Sequence, residues 1–377
     1  MEQTPWSPGH GCLLSPLSLD AEAAPAYLAG EPAPALKMIA ASNVLLDRYP
    51  TLNERLPWVS LGVERTPLTT HEVAGREIIV KRDDLAAEPY GGNKVRKLEF
   101  LLARARAEGA TRIVTAGAMG SHHALATTIY GRRLGFDVTT LLFPQHRTDH
   151  VREVLLCIAD AGADLRFLQR MEMVPYGMWR TRRTHGDQTY LVPPGGSDPV
   201  GTLGYVAAAL ELDGQIGGGT EPDAIYVAAG TLGTAAGIAL GLALAGRAIP
   251  VRAVRITSRL VTNRRVLRRL LQGTAALLER AGVGVGDAAR RAEEGLVILD
   301  DQVGPGYGHE THAGAAATER FAEVGITLDP TYTAKAAAAV LAASDSRPLF
   351  WHTLSATMPP VRAMPALPAA FAQYLES

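Results

Sequence analysis

A lysine directly behind two glycines and an asparagine is the first group in this chain whose placement suggests chemistry. Tyr90-Gly91-Gly92-Asn93-Lys94 precedes a stretch with helical spacing. The glycines let backbone approach a ligand closely, and a cation in the first turn of a helix faces the positive end of the dipole. That repulsion lowers the amine's pKa and suits a lysine that must form a Schiff base. A surface lysine after a turn is the competing reading. The second candidate is Gly230-Thr231-Leu232-Gly233-Thr234-Ala235-Ala236-Gly237, behind the apolar run Ala224–Ala228. A strand, a Gly/Thr turn and a helix make a cup of free N–H groups and hydroxyls for a phosphate; tight helix–sheet packing would use the same residues. The loop has neither Gly-Lys-Ser/Thr nor Gly-x-Gly-x-x-Gly, so neither ATP nor NAD is favoured. Third is Gly117-Ala118-Met119-Gly120-Ser121-His122-His123. There Ser121 and the N–H groups of a helix start suit a carboxylate, unless His122 or His123 caps the helix or packs inside.

Other patterns fail. His309-Glu310-Thr311-His312 resembles a zinc motif but has Ala313 where His-Glu-x-x-His needs its second histidine. No metal site is expected. No Gly-x-Ser-x-Gly elbow occurs, which argues against an α/β-hydrolase. The arginines at 252, 255, 259, 264, 265, 268 and 269 read as a solvated face rather than a nucleic-acid site.

The elements that must carry these loops alternate. Ile78-Ile79-Val80 reads as a short strand. Leu98, Leu101, Leu102 and Ala105 mark one face of a helix ending near Gly109. Arg112–Thr115 is the next strand, followed by a helix at about His123–Leu134, the strand Val138–Phe143 and a helix across Val151–Ala161. Ala224–Ala228 and Val251–Ile256 are further strands. This order implies mostly parallel sheets covered by helices, with ligands beyond the carboxyl ends of the strands. Pro193–Gly204 and Gly214–Gly219 are the expected interdomain crossings. At 377 residues and 40.0 kDa the chain is long enough for two domains. Lys+Arg total 37 against 38 Asp+Glu, which gives no reason to expect nucleic acid or an anionic membrane as partner. Two cysteines, Cys12 and Cys157, build no disulfide framework and fit a reducing compartment. No run approaches the roughly 20 apolar residues of a membrane span, and the start lacks a secretory pattern. A cytoplasmic protein is expected, with residues 1–40 as an extension.

Beyond spacing, the residues themselves resemble a known family. Val80-Lys81-Arg82-Asp83-Asp84-Leu85 and Gly91-Gly92-Asn93-Lys94-Val95-Arg96-Lys97-Leu98-Glu99 are similar to the D-cysteine desulfhydrase/1-aminocyclopropane-1-carboxylate (ACC) deaminase family. Those are pyridoxal-phosphate enzymes of the tryptophan-synthase-β fold, fold type II. The likeness continues collinearly through Ser121-His122-His123, Pro194-Gly195-Gly196-Ser197, Gly201–Tyr205, Gly230–Gly237, Gly306-Tyr307-Gly308, Asp329–Lys335 and His352-Thr353. It implies an α/β fold of two domains: a large cofactor-binding one of residues 41–94 plus 196–377, and a small one of 95–195.

The resemblance also implies roles. Lys94 would carry pyridoxal 5'-phosphate, and Gly230, Thr231, Leu232, Gly233 and Thr234 would cup its phosphate. Asn93 and His122 would contact the cofactor, with Thr333 and Thr353 near its pyridine nitrogen. Ser121 would hold the substrate carboxylate or assist proton transfer, and Tyr307 and Tyr332 would face the substrate. The family usually has Gln-Ser-Asn-His where this chain has Gly120-Ser121-His122-His123. It usually has His-Thr-Gly-Gly where this chain has His352-Thr353-Leu354-Ser355. ACC deaminases carry glutamate where Thr333 stands, and desulfhydrases carry threonine. The implied activity is α-proton abstraction and β-elimination on a small amino acid, releasing ammonia and a 2-oxo acid, by a protein that is a homodimer. ACC deamination, β-replacement synthesis and non-catalytic ligand binding are the alternatives.

Overall fold

The computed structural model describes residues 42–217, 221–362, 365 and 367–374, so the expected extension over 1–40 and Cys12 lie outside the described residues. In chain order the first elements are α1 (Val44–Arg48), β1 (Leu68–Val73), β2 (Arg76–Arg82), α2 (Asn93–Ala107), β3 (Arg112–Ala118) and α3 (His122–Arg133). Then come β4 (Asp137–Phe143), α4 (Asp149–Asp160), β5 (Asp164–Phe167), α5 (Val174–His185), β6 (Thr189–Leu191) and α6 (Pro199–Asp213). The chain continues with β7 (Ala224–Ala229), α7 (Gly233–Leu244), β8 (Val251–Arg255), α8 (Arg264–Arg280) and α9 (Ala288–Gly295). Last are β9 (Leu296–Leu299), α10 (His312–Ala322), α11 (Thr333–Leu341) and β10 (Pro348–His352).

Two sheets result. One has four strands in the order β5-β4-β3-β6, all parallel. The other has six in the order β1-β2-β10-β7-β8-β9, parallel except for the β1–β2 pair at its edge. Strands β7 and β10 are buried at every position, as strands with helices on both faces must be. Helix α7 is buried from Gly233 to Ala243 and lies close on α6. A Cβ on Gly241 would stand 2.6 Å from that of Ala209, so only glycine permits the approach. Among the described residues no helix is long and apolar enough to cross a membrane.

Of the two expected crossings, one connects the sheets. The chain leaves β6 through Pro193–Asp198 and enters α6, whose interior holds Gly201 and Gly204. The other, Gly214–Gly219, only joins α6 to β7 where it is described, and Gly218 and Gly219 lie outside the described residues. In the arginine cluster, Arg259, Arg264, Arg265, Arg268 and Arg269 are exposed as a solvated face requires. Arg255 departs from it, being buried with its Nε 2.6 Å from Asp300.

Four charges meet inside the six-stranded half. Lys81 Nζ lies 2.5 Å from Glu211 Oε1, and Arg96 spans Glu211 Oε2 and Asp83 Oδ1, each at 3.0 Å. Tyr205 Oη and Trp351 Nε1 donate to Asp83 Oδ2 at 2.6 and 2.7 Å. Burial opposes ionisation of both acids, but Arg96 and Lys81 hold Asp83 and Glu211 below the usual carboxylate range. The cluster joins β2, α2, α6 and β10. Replacing Arg96 by methionine keeps most of the volume and leaves two buried carboxylates with Lys81 as their one remaining cation, so that Asp83 loses its ion pair. Urea denaturation of Arg96→Met is expected to show a loss of about 3–5 kcal/mol.

Candidate active site

Helix α2 starts where backbone from three segments is in contact. Gly92, with φ +74°, is its N-cap, and a Cβ there would lie 2.7 Å from Thr353 O. A Cβ on Gly91 would lie 2.5 Å from Asp84 O. The N–H of Gly92 donates to Asp83 O at 2.9 Å, and that of Asn93 donates to Thr353 O at 3.1 Å. This docking sets Lys94 in the first turn. Its Nζ donates to Asn93 Oδ1 at 2.8 Å and stands 5.9 Å from the centre of the Tyr332 ring. Burial pulls the amine down to about 8, with the Asp329 charge opposing.

Asn93 leads on to the phosphate cup, donating from Nδ2 to Thr234 Oγ1 at 3.1 Å. Leu232 precedes α7 in the left-handed conformation (φ 65°), and its own side chain makes no cap bond to that helix. Ser197 closes the rim: its Oγ accepts from Gly233 N at 3.2 Å and lies 2.6 Å from Thr231 Oγ1. Lys97, one turn beyond Lys94, brings its Nζ to Gly195 O at 3.0 Å and Ser197 Oγ at 3.3 Å. Burial, then the neighbouring Lys94 charge, pushes its pKa well below the ordinary value, with the Asp198 carboxylate opposing. A Cβ on Gly233 would sit 3.0 Å from that amine. A buried amine, a helix start met only by the Ser197 hydroxyl and clustered hydroxyls form the donor set of a phosphate monoester. Pyridoxal phosphate, with an aldehyde for Lys94, fits it.

The third loop faces these. Ser121, not either histidine, caps α3: its Oγ accepts from Ala124 N at 3.2 Å, and nothing among the described residues accepts its proton. His123 turns inward to Thr115 Oγ1 at 3.0 Å. His122 meets the Tyr90 hydroxyl through Nδ1, and its Nε2 lies 3.0 Å from His150 Nε2. Burial, then the neighbouring His150, pulls His122 down to about 3, so the ring is neutral at physiological pH. Tyr307 and Tyr332 share a hydroxyl contact at 2.9 Å with rings at 84°. Thr333 is fully buried and its hydroxyl donates to Asp329 Oδ2 at 2.7 Å. Asp329 also accepts from the N–H groups of Thr331, Tyr332 and Thr333.

The sequence reading therefore located the three loops and Lys94, Asn93 and Thr234, which are in contact. It missed Lys97, Ser197, Asp329, Tyr90, His150 and Gln145. Lys97 had a usable signal, since i and i+3 share a helix face. His150 and Gln145 had none, being brought to the α3 start from 28 and 25 residues away.

Comparison with known proteins agrees with this chemistry. The family model described as pyridoxal-phosphate dependent enzyme matches residues 59–348. The chain is 37% identical over 316 residues to nocardicin C-9' epimerase of Nocardia uniformis subsp. tsuyamanensis, covering 78% of this chain and 93% of that protein. It is 34% identical over 299 residues to D-cysteine desulfhydrase of Klebsiella pneumoniae (strain 342), covering 76% and 88%. The crystal structure of an ACC deaminase homologue superposes with a TM-score of 0.68 at 28% identity, covering 82% of this chain and 94% of that one.

The depressed Lys94 has a pH signature, because only the neutral amine attacks a carbonyl. With a pKa near 8, its neutral fraction grows about tenfold between pH 7 and 9 and then levels. The rate at which cofactor-free protein gains the visible absorbance of bound pyridoxal phosphate is expected to follow that curve. A lysine at the ordinary 10.4 would gain about a hundredfold and still be climbing.

Proposed function

The chain belongs to the pyridoxal-phosphate dependent enzymes, and on that premise we propose that it is a lyase that removes the α-proton of a small amino acid and expels a β-substituent. Pyridoxal phosphate, when bound, supplies the electron sink for the charge left at the α-carbon. The observation that carries the reading is the pair of buried amines on one turn of α2, one poised near neutrality and one beside an anion cup. Lys94 Nζ would accept the α-proton. Lys97, Ser197, Thr231, Gly233 and Thr234 would hold the phosphate, aided by Gly230 and Leu232, which shape the turn. Asn93, His122, Thr333 and Thr353 would line the cofactor.

Ser121 Oγ and the free N–H groups of α3 would hold the substrate carboxylate, with Tyr307 and Tyr332 across from it. Loss of the α-proton and the β-substituent leaves an unsaturated amine that water hydrolyses to ammonia and a 2-oxo acid. Elimination is favoured over opening of a cyclopropane, since Thr333 offers no carboxylate and its hydroxyl is committed to Asp329. The D-cysteine desulfhydrase and ACC deaminase likenesses support the substrate class.

One observation favours a second reading, epimerisation of the α-carbon. The hydrogen bonds from Tyr90 through His122 to half-buried His150 give protons a path that does not involve Lys94, and the Nocardia relative is named an epimerase. Deuterium at an inverted α-carbon in recovered substrate would identify it. A homodimer in the cytoplasm completes the proposal; light scattering is expected to give twice the 40.0 kDa chain mass.

Lys94→Ala is expected to lower ammonia release by about 10²–10⁴-fold or more with the circular dichroism unchanged. On the unmodified enzyme, kcat/KM for β-chloro-D-alanine is expected to exceed that for ACC. Efficient ACC turnover without elimination would reverse the assignment.

A further inference from the structure

Gln145, in the loop between β4 and α4, lies lengthwise between two glycines that belong to opposite halves of the molecule. Its Oε1 accepts the N–H of Gly120, the residue before Ser121, at 3.2 Å. A Cβ on Gly120 would stand 3.2 Å from that oxygen and 3.0 Å from Val151 Cγ2, so the seat exists because residue 120 has no side chain. The far side rests on Gly308, directly after Tyr307. There φ is +80°, and a Cβ would come within 2.9 Å of Gln145 Cγ and 3.2 Å of Nε2. Next to this contact the rings of His146 and His309 stack, with centroids 5.0 Å apart and planes at 28°.

The loop from the four-stranded half thus meets the Tyr307 loop of the six-stranded half, with the Gln145 side chain set between Gly120, next to Ser121, and Gly308, next to Tyr307. Its Nε2 has no protein acceptor among the described residues and is open to water, the side chain being only partly buried. A donor pair that can exchange water for a ligand oxygen, flanked by residues read as substrate contacts, suits a substrate acceptor.

We propose that Gln145 determines substrate specificity: its Nε2–H groups bind an oxygen on the β-carbon of the amino acid, while its length closes the cleft over that group. This rests on the reading of the Ser121–Lys94–Tyr307 region as the amino-acid site. The favoured substrates are then amino acids with a hydroxyl or acyloxy group at the β-carbon, over apolar ones of equal size.

Serine and 2-aminobutyrate, each in both configurations, differ by hydroxyl against methyl and test this on cofactor-loaded Lys94→Ala protein, which binds without turnover. Calorimetry is expected to show about a tenfold preference for serine, abolished by adding Gln145→Met, which keeps length and removes the amide. A preference that survives Gln145→Met, or no preference before it, overturns the proposal. A second readout needs neither cofactor nor turnover: hydrogen exchange at the Gly120 amide should quicken at least tenfold in Gln145→Ala protein. Unchanged exchange there also overturns it. Serine binding with the stated preference but no ammonia from any amino acid would refute the lyase reading and leave this one standing.

Discussion

Arg96 holds two buried carboxylates at once, and the geometry of the site follows from that constraint. Its guanidinium fixes α2 against Asp83 at the end of β2 and against Glu211 on α6, while Lys81 neutralises the second acid. Trp351 adds the neighbouring strand β10 through the same Asp83 oxygen that Tyr205 binds. Such a cluster tolerates little displacement, because each charge is costly to bury unless every partner remains in place. Lys94 and Lys97 stand within three residues of Arg96 on the same helix, so its immobility becomes theirs. Glu99, one turn further, extends the anchoring by accepting from Trp58 Nε1 and Leu61 N at 3.1 and 3.0 Å.

The remaining electrostatics come from backbone. Helices α2, α3, α7 and α11 all begin at the candidate site, bringing the positive ends of four dipoles to one region. Two of these starts have been answered internally: Ser121 caps α3, and Asp329 gathers the first N–H groups of α11. The start of α7 is not capped by its own N-cap residue and is met only by the Ser197 hydroxyl, a neutral group. An anion is therefore favoured there, while burial pushes the lysine in the first turn of α2 toward neutrality.

Much of this was legible in the residues because it is local. Two glycines before Lys94 and the Gly/Thr turn at Gly230–Thr234 carry their constraints within a few positions, and parallel sheets follow from the alternation of strands and helices. What escaped the sequence depends on distant pairing. Gln145 and His150 acquire meaning only when β4 and α4 pack beside α3, and Asp329 reads as a turn residue until Thr333 folds back on it. Arg255 looks like surface charge until Asp300 is seen against it. Gly214 looks like a hinge because glycine marks helix ends and domain joints alike.

Lys97 carries one more consequence. Burial costs the charged form of the Lys97 amine more than the neutral one, so its pKa lies well below the ordinary value, with the Asp198 charge opposing. An anion in the cup would shift that balance toward the ammonium. Under the role proposed for the cup, loading it with a phosphate would be coupled to proton uptake, and the coupling would favour a phosphorylated ligand over its unphosphorylated form.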